Sequence, residues 1–174
     1  MKISIIGYSG SGKSTLAAAF GQRYHLPVLH LDTVQFGPGW SERDREEKLA
    51  DVRTFLDSHP DGWVMDGNYT NLYYDRRLAE SDLIFFLDFG RWTCLYRVLS
   101  RYLHYHGKTR ASMAKDCAEK IDAEFLHWVL WGGRTREKVQ HYEHVLQAWP
   151  EKAHRIRNQR ELDDCFRRYS LEKP

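Results

Sequence analysis

The chain of 174 residues has only three cysteines and five prolines, and no uninterrupted aliphatic or aromatic run longer than the five residues Leu83–Leu87. A bilayer span needs about 20 consecutive apolar residues, so no membrane-crossing helix is expected. Cys94, Cys117 and Cys165 are odd in number, widely spaced and without a C-x-x-C pair. That excludes a disulfide scaffold and the common zinc and redox arrangements, and it predicts reduced, buried thiols. Among the histidines, His104-Tyr-His106 and His141-x-x-His144 lack the i, i+4 pairing with a glutamate that a zinc hydrolase uses, and they read as surface residues. Twelve glycines and five prolines are too few for a collagen-like or low-complexity chain. What is left is ordinary globular usage, 42% hydrophobic and 29% charged, in a length that fits one domain spanning residues 1–174.

The opening MKISIIGYSGSGKSTLAAAF imitates a secretory leader. Lys13 interrupts its apolar region and Gly7 to Gly12 cannot form the leader's helix, so a mature cytoplasmic terminus is expected. The net charge of +2 hides an asymmetry: residues 1 to 90 carry 9 Lys/Arg against 13 Asp/Glu (−4), and residues 91 to 174 carry 17 against 11 (+6). The second half therefore wants a polyanion, and a phosphate-rich small molecule and a nucleic acid both qualify.

The pattern predicts strands over Lys2–Ile6, Val28–Leu31, Trp63–Met65 and Leu83–Leu87, with an edge strand over Arg155–Asn158. Helices are predicted over Lys13–Tyr24, Ser41–Leu56 with Ser41 as N-cap, Leu72–Leu78, Arg91–Tyr105, 114–131, 135–148 and Glu161–Tyr169. Residues 106–113 read as a basic loop. Strands that alternate with helices and are apolar throughout imply a parallel sheet covered on both faces, hence an α/β fold.

Gly7-Tyr8-Ser9-Gly10-Ser11-Gly12-Lys13-Ser14 fits G-x-x-x-x-G-K-[ST], immediately after a strand and before a helix. Phosphate oxygens need several converging backbone N–H groups, and glycine permits the conformations and close approach that a Cβ obstructs. Lys13 would reach the β- and γ-phosphates of ATP, the Ser14 hydroxyl would ligate Mg²⁺, and Thr15 completes the nucleotide-binding stretch from the first helical turn. A GTPase would need an N-K-x-D base reader, and Asn158-Gln159-Arg160-Glu161 does not supply one. A motor-type ATPase follows its strand-end aspartate with a second carboxylate, whereas Asp66 precedes Gly67 and Asp88 precedes Phe89. A small kinase, in which a second substrate brings the nucleophile, fits better.

With that loop, His30-Leu31-Asp32, Asp66-Gly67, an apolar strand ending in Asp88, and Arg97 and Arg101 on the next helix, residues 1 to 101 resemble the adenylate-kinase-like nucleoside and small-molecule kinases. Through His30-Leu31-Asp32, Pro38-Gly39-Trp40 and Asp66-Gly67-Asn68-Tyr69 the chain is more similar to the topology modulation protein (FlaR-related) group. The resemblance implies a three-layer P-loop NTPase fold with a five-stranded parallel sheet in order 2-3-1-4-5. It also implies an acceptor-binding segment at about 33–60 and a helical lid at about 105–136. It would place Arg97 and Arg101, four apart on one helix face, over the phosphates, and make Arg134 and Arg136 lid arginines. Asp32 would orient or deprotonate an acceptor hydroxyl, and Asp66 would hold water around Mg²⁺.

The chain departs from the adenylate kinase pattern after Asp66-Gly67, where Asn68, Tyr69 and Thr70 replace the segment carrying the arginine that clamps AMP. Arg43, Arg45, Arg76 or Arg77 are the candidate substitutes, and Gln35 to Trp40 could form a flat apolar acceptor wall. The expectation is a Mg·ATP-dependent phosphotransferase acting on a nucleotide or small hydroxylated metabolite, as monomer or homodimer. The alternative is an ATP-binding, nucleic-acid-associated protein without kinase turnover. Its basis is the interleaving of Arg97, Arg101, Lys108, Arg110 and Lys115 with Tyr102, His104, Tyr105 and His106.

Overall fold

The computed structural model describes residues 1–105, 117 and 121–173. Five strands, β1 (Lys2–Gly7), β2 (Val28–His30), β3 (Trp63–Asp66), β4 (Leu83–Leu87) and β5 (Ala153–Ile156), form one sheet in the order β2-β3-β1-β4-β5. Every pairing is parallel. The expected α/β class and strand order are both present. Parallel pairing requires crossovers, and these are α1 (Lys13–Tyr24), α2 (Leu31–Gln35), α3 (Arg45–Ser58), α4 (Tyr74–Glu80), α5 (Arg91–Tyr105), α6 (Ala123–Leu130) and α7 (Arg136–Ala148). Helix α8 (Gln159–Arg168) follows β5.

Successive side chains of a strand point to opposite faces, and Ile3, Ser4, Ile5 and Ile6 are all fully buried, so β1 is covered on both sides. The one polar member, Ser4, accepts a hydrogen bond from the Ser81 hydroxyl at 2.8 Å. Leu16, Ala17 and Phe20 of α1 join this core, with Phe20 stacked on Phe85 at 5.3 Å. Truncating Phe20 to alanine would cost about 3–5 kcal/mol on the usual scale for buried aromatics. A second cluster, including Leu31, Val34, Val52, Leu56, Trp63 and Met65, packs α2 and α3 on the β2–β3 side.

Several boundaries differ from expectation for local reasons. The cap of α3 is Asp44, whose carboxylate accepts from the N–H groups of Glu46 (2.8 Å) and Glu47 (3.4 Å). Ser41 instead donates to the Pro38 carbonyl at 3.0 Å and closes the 3-10 turn Pro38–Trp40. Strand β2 ends at His30, because Leu31–Gln35 coils into a helical turn, and Asp32 lies on that turn rather than on the strand. The edge strand sits two residues earlier than expected, and Asn158 caps α8 by accepting from the Glu161 N–H. Helix α6 begins at Ala123 behind the Asp122 cap. The remainder of the helix expected over 114–131, apart from Cys117, Ile121 and Asp122, lies outside the described residues, as does the expected basic loop at 106–113. All three cysteines are free and buried, and Cys117 donates to the Gly37 carbonyl at 3.3 Å.

Register lines up the carboxyl ends of the inner strands. His30 of β2 sits beside Asp66 of β3, Ile5 sits beside Asp66, and Gly7 sits beside Leu87. Open parallel sheets bind their ligands beyond this edge.

Candidate active site

The loop between β1 and α1 takes positive φ at Gly10 (79°) and Gly12 (100°). A Cβ at Gly10 would lie 2.6 Å from the Cys94 carbonyl oxygen, so the loop is seated directly on α5. Gly12 caps α1 without a side chain. The first helical bond runs from the Leu16 N–H to the Gly12 carbonyl at 3.0 Å, which leaves the N–H groups of Lys13, Ser14 and Thr15 outside the helical ladder. The Ser11 hydroxyl is buried and has no hydrogen-bond partner among the described residues. These donors, at the positive end of the helix dipole, suit a polyanion. Lys13 Nζ donates to the Tyr8 carbonyl at 3.0 Å, and burial pulls the ammonium below its usual range while Asp32 and Asp66 oppose the shift.

Asp66 joins the loop to the second strand edge. Its Oδ2 accepts from the Ser14 hydroxyl at 2.8 Å, and its Oδ1 makes a short contact with Nδ1 of His30. Asn68 fixes the other end of the loop: its Oδ1 accepts from the Gly7 N–H at 2.9 Å and its Nδ2 donates to the Gly7 carbonyl at 2.5 Å. One turn from β2, Asp32 accepts from the Tyr69 hydroxyl at 2.7 Å. Burial and the Asp32 charge push the Tyr69 phenol far up, so it remains an O–H donor and Asp32 remains the acceptor. The loop, Asp32, Asp66, Arg97 and Arg101 all line one open cleft of about 1790 Å³.

The chain is similar over 97% of its length to a solved protein from Eubacterium ventriosum, 97% of which is covered, at 16% identity and a TM-score of 0.55. It is also similar over 98% of its length to deoxyadenosine kinase from M. mycoides with bound dATP, covering 100% of that chain at 13% identity and a TM-score of 0.53. No protein-family model matches the chain, and no curated protein does. The chain has the P-loop NTPase fold.

Within that frame the remaining expected residues fall in different places. Arg97 lies beside the P-loop: its Nη1 donates to the Ser11 carbonyl at 2.7 Å, its Nη2 donates to Gln159 at 2.6 Å, and the Phe89 ring faces its guanidinium at 4.0 Å. Arg134 lies behind the P-loop. It stacks on the Tyr8 ring at 3.7 Å and donates to the Phe89 carbonyl at 2.7 Å, which ties the end of β4 to the turn before α7. Arg136 is exposed at the first residue of α7. Asp88 accepts from Arg155 at 2.8 Å, a strand-end ion pair. Lys108, Arg110, Lys115 and His106, on which the nucleic-acid alternative leans, lie outside the described residues.

Residue reading from the chain alone assigned no role to Asn68, Tyr69 or His30, although the segment after β3 carries the signal: polar side chains directly beyond a strand end beside the P-loop. It also offered Arg77 as a candidate phosphate clamp, whereas Arg77 is fully buried and does not line the cleft. The Arg77 guanidinium donates to the Tyr69 carbonyl at 2.9 Å and lies 5.2 Å from the Tyr74 ring, and burial lowers it to about 10.

Proposed function

We propose that the chain is a Mg·ATP-dependent phosphotransferase that passes the γ-phosphoryl group to a hydroxyl-bearing small acceptor. The observation that carries this reading is the Ser14–Asp66 hydrogen bond at the mouth of the P-loop, a hydroxyl and a carboxylate of the chemistry a hard divalent cation takes, with a second carboxylate, Asp32, in the same cleft. Ser14 and Asp66 would hold Mg²⁺, directly or through water. When bound, the ion neutralises charge on the phosphates. Amides of the stretch Gly7–Thr15 would cradle the polyphosphate, and Lys13, Arg97 and Arg101 would neutralise charge on the transferring group. Asp32, held by Tyr69, would orient the acceptor hydroxyl and take its proton.

The acceptor segment at about 33–60 and the lid at about 105–136 belong to this reading, with Arg134 bracing Tyr8 of the P-loop and Arg136 at the lid's outer edge. Catalysis would then be positioning plus electrostatics. The reading is supported by a P-loop whose Lys13 and Ser14 line the same cleft as Asp32 and Asp66. The test is a panel of nucleoside monophosphates and hydroxylated metabolites incubated with γ-labelled ATP. Label on an acceptor, lost in Lys13→Ala, supports the assignment. Substantial transfer by Lys13→Ala overturns it.

A further inference from the structure

We infer that Asn68 is a positioning residue of the nucleotide site, whose side-chain amide continues the sheet beyond the end of β3 and fixes the first residue of the P-loop in the shape that receives a polyphosphate; this rests on the phosphotransferase reading, which supplies the nucleotide. Residues two apart on a strand turn their backbone groups to the same neighbour, so Ile5 and Gly7 of β1 both face the β3 side. Ile5 is paired there with Asp66, and its carbonyl accepts from the Gly67 N–H at 3.1 Å. Strand β3 ends at Asp66, and the chain turns at Gly67 with φ 136°. A continued strand would have met Gly7 with one carbonyl and one N–H. Asn68 brings the same pair from its side chain, Oδ1 accepting from the Gly7 N–H at 2.9 Å and Nδ2 donating to the Gly7 carbonyl at 2.5 Å. A planar carboxamide carries the donor and acceptor of a peptide unit, so the ladder gains one more rung from a side chain. On its other flank Gly7 is paired with Leu87 of β4, where a Cβ on Gly7 would lie 2.5 Å from the Leu87 carbonyl oxygen. Gly7 is therefore held from both sides.

This hold reaches the phosphate-binding groups through the next residue. The Tyr8 carbonyl, directly after Gly7, accepts from Lys13 Nζ at 3.0 Å, so a shift of the Gly7 peptide moves the seat of the ammonium. Glycine has the greatest backbone freedom of any residue, and a free Gly7 would have to be ordered each time the loop closes on phosphate oxygens. Fixing it beforehand lowers that ordering cost, which is how pre-organisation raises affinity. The far end of the loop is held by the same piece of chain, since Asp66 accepts from the Ser14 hydroxyl at 2.8 Å. Tyr69, the residue after Asn68, donates to Asp32 at 2.7 Å. The segment Asp66–Tyr69 thus sets both ends of the P-loop and the carboxylate proposed to take the acceptor's proton in one frame, and all four of its residues line the cleft. Within that frame Asn68 is the member that acts on the nucleotide through the backbone alone.

The test is equilibrium binding of a non-hydrolysable ATP analogue with Mg²⁺ to the full chain and to Asn68→Ala and Asn68→Leu, the latter close to asparagine in size and unable to hydrogen-bond. Both variants should bind the analogue at least about tenfold more weakly, the scale of losing buried hydrogen bonds. Val52→Ala, a truncation in the second core cluster, controls for stability alone: it should lower the thermal midpoint and leave the analogue's affinity within about twofold. Amide hydrogen exchange followed by NMR reads the contact without nucleotide. In the unaltered chain the Gly7 N–H should be protected to the level of the Ile5 N–H, and in the Asn68 variants it should exchange at least about tenfold faster while Ile5 is unchanged. Analogue affinity in the Asn68 variants equal to that of the unaltered chain, an equal loss in Val52→Ala, or an unprotected Gly7 N–H in the unaltered chain would overturn the inference. An analogue that fails to bind the unaltered chain would sink the phosphotransferase reading instead, so the two failures are distinct.

Discussion

The Ser14 hydroxyl donates to the Asp66 carboxylate across 2.8 Å, joining residues 52 positions apart at the carboxyl edge of the sheet. The parallel register makes this possible by placing Ile5, two residues before the loop, directly beside Asp66. In the proposed function this hydroxyl and carboxylate are the pair that would hold Mg²⁺. Ser14→Ala should therefore raise the Mg²⁺ concentration for half-maximal activity by about tenfold or more, the range seen when groups around a metal are removed. A Mg²⁺ titration of the variant checks this, and an unchanged curve would separate Ser14 from the metal.

Asp32 should act on the acceptor and not on ATP. Asp32→Asn keeps the size of the side chain and its bond to Tyr69 while removing the proton acceptor, and it should lower kcat with the acceptor by about 100-fold or more. ATP affinity measured in parallel should hardly move. Equal losses in both would assign Asp32 to the nucleotide.

Arg76 and Arg77 are neighbours on α4 with opposite fates. Arg76 makes two ion pairs at the surface, so Arg76→Ala should change stability by less than about 1 kcal/mol. Arg77 is fully buried, and removing it empties core volume and frees the Tyr69 carbonyl. Arg77→Ala should cost about 3 kcal/mol in denaturant unfolding, in the range of large-to-small core changes. Similar losses for the two variants would contradict the difference in burial.

Stability should fall as the solution is acidified below about pH 6.5, the ordinary histidine range. Burial and Arg168 lower His154, and burial and His144 lower His141. Between the lowered folded values and the unfolded value the unfolded chain binds more protons than the folded one, so stability rises with pH across that window and is lost on descending through it. Denaturation midpoints at pH 7.5 and 5.5 measure the drop, and His154→Gln should reduce it. A drop of the same size in that variant would exclude His154.

The loop between β1 and α1 was legible because its signal is local: Gly7 to Ser14 are consecutive, and Gly10 and Gly12 take the positive φ that the glycine pattern implies. The sheet order came from resemblance, and the class from strands apolar throughout. What was hidden depends on contacts across many residues. Asn68 reaches Gly7 over 61 positions and Tyr69 reaches Asp32 over 37, and nothing in either short motif announces its partner. Arg77 misled for a related reason. As a sequence letter an arginine beside the site is a candidate for binding phosphate, and only the packing of α4 against β1 shows that this guanidinium is enclosed in the core. Ser41 lost the α3 cap to Asp44 because its hydroxyl was taken by the turn at Pro38, a competition between two legitimate local roles.

The central claim is that the phosphoryl group goes to a second substrate and not to water. The direct measurement is the partition of label from γ-labelled ATP between acceptor and inorganic phosphate, in the presence of Mg²⁺ and a panel of nucleoside monophosphates and hydroxylated metabolites. The account predicts that most of the label appears on an acceptor and that Lys13→Ala abolishes the transfer with the thermal midpoint little changed. Label released only as inorganic phosphate, whatever acceptor is supplied, would contradict it.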